Sequence, residues 1–156
     1  RMEQIKLDAA SSRILRELQR DSRQTVQELS AKVGLSVSPC WRRVKELEAT
    51  GVVRRYTALV EREKVGLSAC ILAQVSLLRQ TEGAAEHFES AMHACAEVIE
   101  CYSVTGDADY VIKVVLPDVK AYDAFLHRVM FKIKDIGTLR SMVVLREVKY
   151  ETALPV

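Results

Sequence analysis

The chain is predicted to be α+β, with a tri-helical N-terminal module followed by a β-α-β-β-α-β module. Three observations predict this. Apolar residues keep helical spacing up to Gly51 and give way, beyond Gly66, to β-branched runs of strand length. Turn residues then punctuate the second half at intervals that suit short strands and helices. Charge divides along the same line, with 13 Lys/Arg against 8 Asp/Glu up to Arg62, a net of +5, and 10 against 13 from Glu63 onward, a net of −3. A basic part joined to a mildly acidic remainder fits a nucleic-acid module attached to one that does not touch nucleic acid.

Length and composition set the outer bounds. The 156 residues are enough for one or two compact units. No run approaches the roughly 18 apolar residues that a membrane span needs. The opening Arg1-Met2-Glu3-Gln4 lacks the apolar region of a signal peptide. Cys40, Cys70, Cys95 and Cys101 are scattered without a C-x-x-C pair, so the expectation is buried, reduced thiols in a cytoplasmic protein rather than disulfides or a zinc site.

The first helix begins at Leu7-Asp8, with Asp8 as its cap and Ile14, Leu15 and Leu18 as its apolar stripe, and it ends near Asp21. From Thr25 to Val33 the positions Val26, Leu29 and Val33 repeat a helical stripe, and Gly34 supplies the positive φ of a helix that must stop and reverse. Ser36 is placed to cap a further helix, with Pro39 inside its first turn and Gly51 at its close. Cys40, Val44 and Leu47 form its inner stripe, while Ser38, Trp41, Arg42 and Lys45 point elsewhere. Trp41 is expected to pack under a following wing, groove contact being its alternative. Val52–Val60 is predicted as one strand, with a short wing around Arg54 and Arg55. The mixed-charge run Glu61-Arg62-Glu63-Lys64 marks the boundary between a first domain, 1–62, and a second, 63–156.

In the second domain, strands are predicted at Ser68–Leu78, Val98–Thr105, Tyr110–Leu116 and Leu139–Val148. Helices are predicted at Ala84–Cys95 and from Pro117-Asp118 through Ile133. Gly106-Asp107-Ala108-Asp109 makes the middle strands a hairpin. The order is that of the split βαβ, or ferredoxin-like, arrangement, whose helices cover one sheet face only. These strands carry apolar residues on both faces, among them Val111 and Val115 opposite Ile112 and Val114, so the bare face calls for a partner sheet. A homodimer is the expectation.

A helix, a tight turn and a second helix with a basic outer face have the geometry of a helix-turn-helix DNA reader. Ser36, Ser38, Arg42, Arg43 and Lys45 are the candidate contacts to bases and phosphates, Arg43 bordering the inner stripe. The competing reading is an αα-corner with a solvated face, in which Arg42 pairs with Glu46. A twofold dimer would set two such helices about one DNA turn, ~34 Å, apart.

The assembled pattern resembles the Lrp/AsnC family of transcriptional regulators along nearly the whole chain. The marks are Leu7-Asp8 followed by ILRELQRDSR, then LSAKVGLSVSPCWRRVKELEATGVVRRYTAL, SVTGDADYVIKV and MVVLREVK. The resemblance implies a winged helix-turn-helix N-terminal domain and a C-terminal ferredoxin-like domain for oligomerisation and effector binding. It also implies dimers that assemble further, often to octamers, and a response to amino acids or related small metabolites. The implied effector pocket surrounds the turn matched by Gly106, Asp107, Asp109 and Tyr110, completed by strand residues of a neighbouring subunit matched near Leu139–Met142. Where family members often carry a Pro-Gly turn, this chain has Lys134-Asp135-Ile136-Gly137.

For a free amino acid, the turn's N–H groups would hold the carboxylate, and Asp107 or Asp109 would accept from the ammonium. Thr105 and Ser141 are candidate neutral partners, with Leu139 and Met142 beside an apolar side chain. The bland alternative is an ordinary hairpin turn. Two aspartates without further oxygen ligands are a weak metal site, so no metal or cofactor is expected. His87, His93 and His127 have no nucleophile or carboxylate at catalytic spacing, and no catalytic residue is assigned. An enzyme or metabolite-sensing module is the alternative function.

Overall fold

The computed structural model describes residues 5–79 and 81–156. The opening Arg1-Met2-Glu3-Gln4, expected to carry no signal peptide, lies outside the described residues. The chain forms two compact units: one runs up to Leu59 and takes in Lys149–Val156, and the other is Val60–Val148. The dividing point thus falls between Leu59 and Val60, and the C-terminal segment packs with the first unit.

The first unit is built on α1 (Ala9–Arg20), α2 (Val26–Val33) and α3 (Val37–Ala49). Asp8 caps α1 by accepting from the Ser11 N–H. Thr25 and Glu28 form a reciprocal capping box on α2, each side chain accepting from the other's backbone N–H. Gly34 closes α2 at φ 69°, a conformation that costs other residues strain. Ile14, Leu15, Leu29, Val33, Cys40 and Leu47 make the core, with Leu7, Leu18, Val26, Leu35, Val44, Val52 and Val53 around it. The segment 149–156 is held on α1: Arg16 Nε donates to the Val156 carbonyl at 2.8 Å, and Gln19 exchanges two bonds with the backbone of Leu154.

The second unit is a four-stranded antiparallel sheet of β1 (Ala69–Leu77), β2 (Val98–Ser103), β3 (Tyr110–Leu116) and β4 (Ile136–Val143), in the order β2-β3-β1-β4. With α4 (Glu82–Ala94) between β1 and β2, and α5 (Val119–Arg128) between β3 and β4, it is ferredoxin-like. Ile71, Ala73 and Val75 of β1 and Ile112 and Val114 of β3 pack under Phe88, Met92, Tyr122 and Phe125. The two phenylalanines are almost wholly buried, each contributing up to roughly 1.5–3 kcal/mol.

Several expectations are corrected. The strand predicted at Val52–Val60 is absent: the segment is irregular and largely exposed. Its β-branched residues suit a strand, but they have no neighbouring backbone to pair with. For the same reason β4 ends at Val143 instead of Val148, leaving Leu145 95% and Val148 84% exposed. The helix expected through Ile133 stops at Arg128 and gives way to a 3₁₀ turn over Met130–Lys132, although Ile133 still reaches the core. Ser36 stands at the start of α3 without a side-chain capping bond. All four cysteines are free thiols, but only Cys40 and Cys70 are buried; Cys101 is exposed because β2 is an edge strand.

Candidate DNA-reading helix and effector turn

α3 is positioned by contacts on its inner side. Cys40 and Leu47 seat it in the core. Arg43 turns back to α1, its Nη1 donating to Asp8 Oδ2 at 2.6 Å and to Ser11 Oγ at 3.2 Å. The Ser11 backbone N–H, the Ser11 hydroxyl and the Arg43 guanidinium together hold the Asp8 carboxyl down to about 2. Arg43, one of the five candidate DNA contacts, is therefore engaged inside the unit. On the far side, Glu48 accepts from Lys45 Nζ at 2.7 Å and from the Tyr56 hydroxyl at 2.9 Å, tying the segment after Gly51 back to the helix. Those two bonds lower the Glu48 carboxyl, while burial and Glu48 push the Tyr56 hydroxyl up to about 12.

The outer face remains open. Ser36, Ser38, Arg42 and Lys45 are all exposed. Arg42 forms no ion pair with Glu46 or any other carboxylate among the described residues. Trp41, expected under a wing, is instead 55% exposed. It lies about 100° around the helix from Cys40, and no paired strand forms to cover it.

The effector candidates sit in the second unit, where the fold uses most of their polar groups. Gly106 has φ 117°. Asp109 donates its N–H to the Val75 carbonyl at 3.0 Å, and its Oδ2 accepts from the Leu77 N–H at 2.7 Å, so this carboxylate braces the turn against β1. The Ser76 hydroxyl donates to the Asp107 carbonyl at 3.1 Å. Thr105 and the Asp107 carboxylate are exposed, and no bond from the latter is formed within the described residues. Tyr110 is buried against Phe88, with its hydroxyl on Glu89 at 2.8 Å. Ser141 shares a 2.6 Å bond with the Tyr122 hydroxyl.

Leu139 and Tyr110 flank Val75 from opposite sides, which brings the first half of β4 level with the turn. Met142, paired with Leu72, points to the opposite sheet face and is 46% exposed there. One chain therefore does not gather Met142 with the turn.

A cavity of about 340 Å³ lies between α4 and β2, lined by Glu89, Met92, His93, Glu100, Cys101 and Tyr110 among others. Of these only Tyr110 was a candidate; the rest come from α4 and β2 and form no recognisable motif. Among the described residues no three of His, Cys, Asp and Glu gather as a metal-ligand set, and no helix is long and apolar enough to cross a membrane.

A capped helix pair with an open basic helix, joined to a ferredoxin-like sheet, is the architecture of a helix-turn-helix protein with a second, sheet-forming domain. Residues 7–54 match the family described as winged helix-turn-helix DNA-binding, and residues 70–154 match the Lrp/AsnC ligand binding domain. The leucine-responsive regulatory protein of Klebsiella pneumoniae is 37% identical over 148 residues, 95% of this chain and 90% of that protein. Among solved structures, a Neisseria meningitidis transcriptional regulator in complex with L-Met superposes with TM-score 0.91 at 37% identity, over 96% of this chain and 97% of that one. An AsnC family regulator from Agrobacterium tumefaciens does so with TM-score 0.91 at 38% identity over the same shares. The chain belongs to the Lrp/AsnC family of transcriptional regulators, which bind DNA through the helix-turn-helix and an amino-acid effector through the second domain. Its relatives are regulators and not enzymes, which removes the enzyme alternative.

Proposed function

We propose that α3 is the DNA-reading helix, with Ser38, Arg42 and Lys45 contacting the major groove, Ser36 at its edge, and Arg43 acting as a positioning residue through Asp8. The observation that carries this reading is the open cationic face of α3, on which Arg42 is exposed and has no acidic partner among the described residues. In this reading the first unit holds the operator, and the second, Val60–Val148, joins copies of the chain and senses the effector. The bare sheet face, with Leu72, Val111 and Met142, meets the same face of a second copy, and such dimers assemble further to an octamer in the cytoplasm. The effector is a free amino acid at the 105–109 turn, of the kind that the Neisseria regulator binds as L-Met, with strand residues of a second copy completing its site.

The test of the reading helix is a mobility-shift titration with a duplex selected from random sequence by the full-length protein. Arg42→Ala with Lys45→Ala should weaken binding by tenfold or more and lower the salt slope by about 0.9 for each phosphate no longer neutralised. An unchanged affinity and slope would remove α3 from the interface.

A further inference from the structure

More than half of the Trp41 indole is left to solvent. It is the single tryptophan of the chain, and it stands 55% exposed on a helix that also exposes Ser38, Arg42, Lys45 and Glu46. Val37, one turn earlier on the same flank, is 41% exposed. Among the described residues the ring stacks on no other ring and its N–H finds no protein acceptor. An exposed indole beside a valine is a small apolar ridge of the kind enriched at interfaces, and the neighbours here choose the occupant. Arg42 is adjacent and Lys45 lies one turn on, so the ridge is bordered by cations that favour a polyanion. Trp41 is the fifth residue of α3, within the N-terminal part that meets base edges when a helix of this kind enters the major groove. There the one apolar group a base pair presents is the C5-methyl of thymine.

We propose that Trp41 is a specificity-determining residue that reads thymine methyl groups, with Val37 extending the same apolar ridge. This rests on α3 being the reading helix. Arg42 and Lys45 then supply affinity for any sequence, and Trp41 sets where a T must stand. Burying a single methyl against the indole is equivalent to about fourfold in affinity.

The probe is the duplex selected from random sequence by the full-length protein, with each thymine replaced in turn by deoxyuridine, which lacks only the methyl. The wild type should lose about fourfold at one or two thymines of each half-site. Trp41→Ala should bind the parent duplex more weakly and lose nothing further at those positions, while Trp41→Phe keeps part of the discrimination. The indole is 55% exposed, so Trp41→Phe should melt close to the wild type and Trp41→Ala only modestly earlier; each variant's thymine scan is read against its own parent duplex. The emission of the single tryptophan should also shift to the blue or quench on saturation with the duplex.

A wild type indifferent to every replacement, the same thymine pattern in Trp41→Ala, or unmoved emission would each overturn the proposal. If Arg42→Ala with Lys45→Ala weakens binding while the thymine scan stays flat, Trp41 alone loses its role. If that double variant binds normally, the reading of α3 falls with it.

Discussion

Along α3 the side chains that carry chemistry are left to solvent, whereas around the β2–β3 turn most of them are already engaged by the fold. Ser38, Arg42 and Trp41 are exposed, and the contacts that position the helix come from Arg43, Cys40 and Leu47 on its other side. At the turn, Asp109 braces β1, Tyr110 reaches Glu89, and Ser141 reaches Tyr122, which leaves Thr105 and the Asp107 carboxylate toward solvent. On the proposed reading, the difference teaches that one chain presents the whole DNA-reading surface, while the effector turn keeps few free polar groups and calls for a second copy. A helix displays its outer face whatever its surroundings. A hairpin turn has to satisfy its own backbone before it can serve a ligand.

The largest expected effect tests for that second copy. Met142→Glu places a carboxylate in the proposed sheet-to-sheet contact, where its burial carries a desolvation cost of several kcal/mol. In sedimentation the wild type should run as an octamer built from dimers and the variant as a monomer. A variant that keeps the wild-type mass would remove that face from the interface.

A smaller effect separates the two aspartates. Asp109→Ala leaves the Leu77 N–H without its acceptor and should cost about 1–3 kcal/mol, seen as a melting temperature lower by several degrees. Asp107→Asn should stay within about 0.5 kcal/mol of the wild type. If the proposed effector site holds, millimolar L-methionine should raise the wild type's melting temperature, and Asp107→Asn should lose most of that rise. If Asp107→Asn keeps the whole rise, the ammonium is held elsewhere.

The smallest effect concerns how α3 is held. The Asp8 carboxyl lies at about 2 in the folded protein against an ordinary 3.8, lowered mainly by the Ser11 N–H and hydroxyl and by Arg43. A depressed acid stabilises fully above its ordinary value and loses that contribution as pH falls through about 2. Asp8→Asn keeps a capping side chain but not the charge. Its melting temperature should therefore fall less steeply than the wild type's as pH drops from about 4 to about 2. Parallel curves would mean that the Asp8–Arg43 pair adds nothing to the fold.

Legibility in the sequence followed the range of the interaction. The three helices and the Gly34 turn were readable because stripe, cap and stop lie within a few residues of one another. The same holds for the β-α-β-β-α-β order and for the open face of α3. The capping box was written there too, as Thr25-x-x-Glu28. Asp8–Arg43, Asp109–Leu77 and Gln19–Leu154 were not readable, since they join residues 35, 32 and 135 positions apart. The strand predicted at Val52–Val60 failed for a related reason: β-propensity describes a side chain that fits a sheet, not the presence of a strand beside it. Trp41 was misplaced because an indole is ordinarily core, and only coordinates report whether anything stands above it.

By itself, then, the order of residues determined the elements, the face of each that turns inward, the division of charge, and the family. Tertiary structure decided which polar groups remain for partners: Arg43 and Asp109 withdrawn, Arg42, Asp107 and Trp41 left out. Local patterns act over one or two turns of chain, but the occupation of a side chain depends on whatever folding brings within about 3 Å of it, and distant sequence supplies most of that.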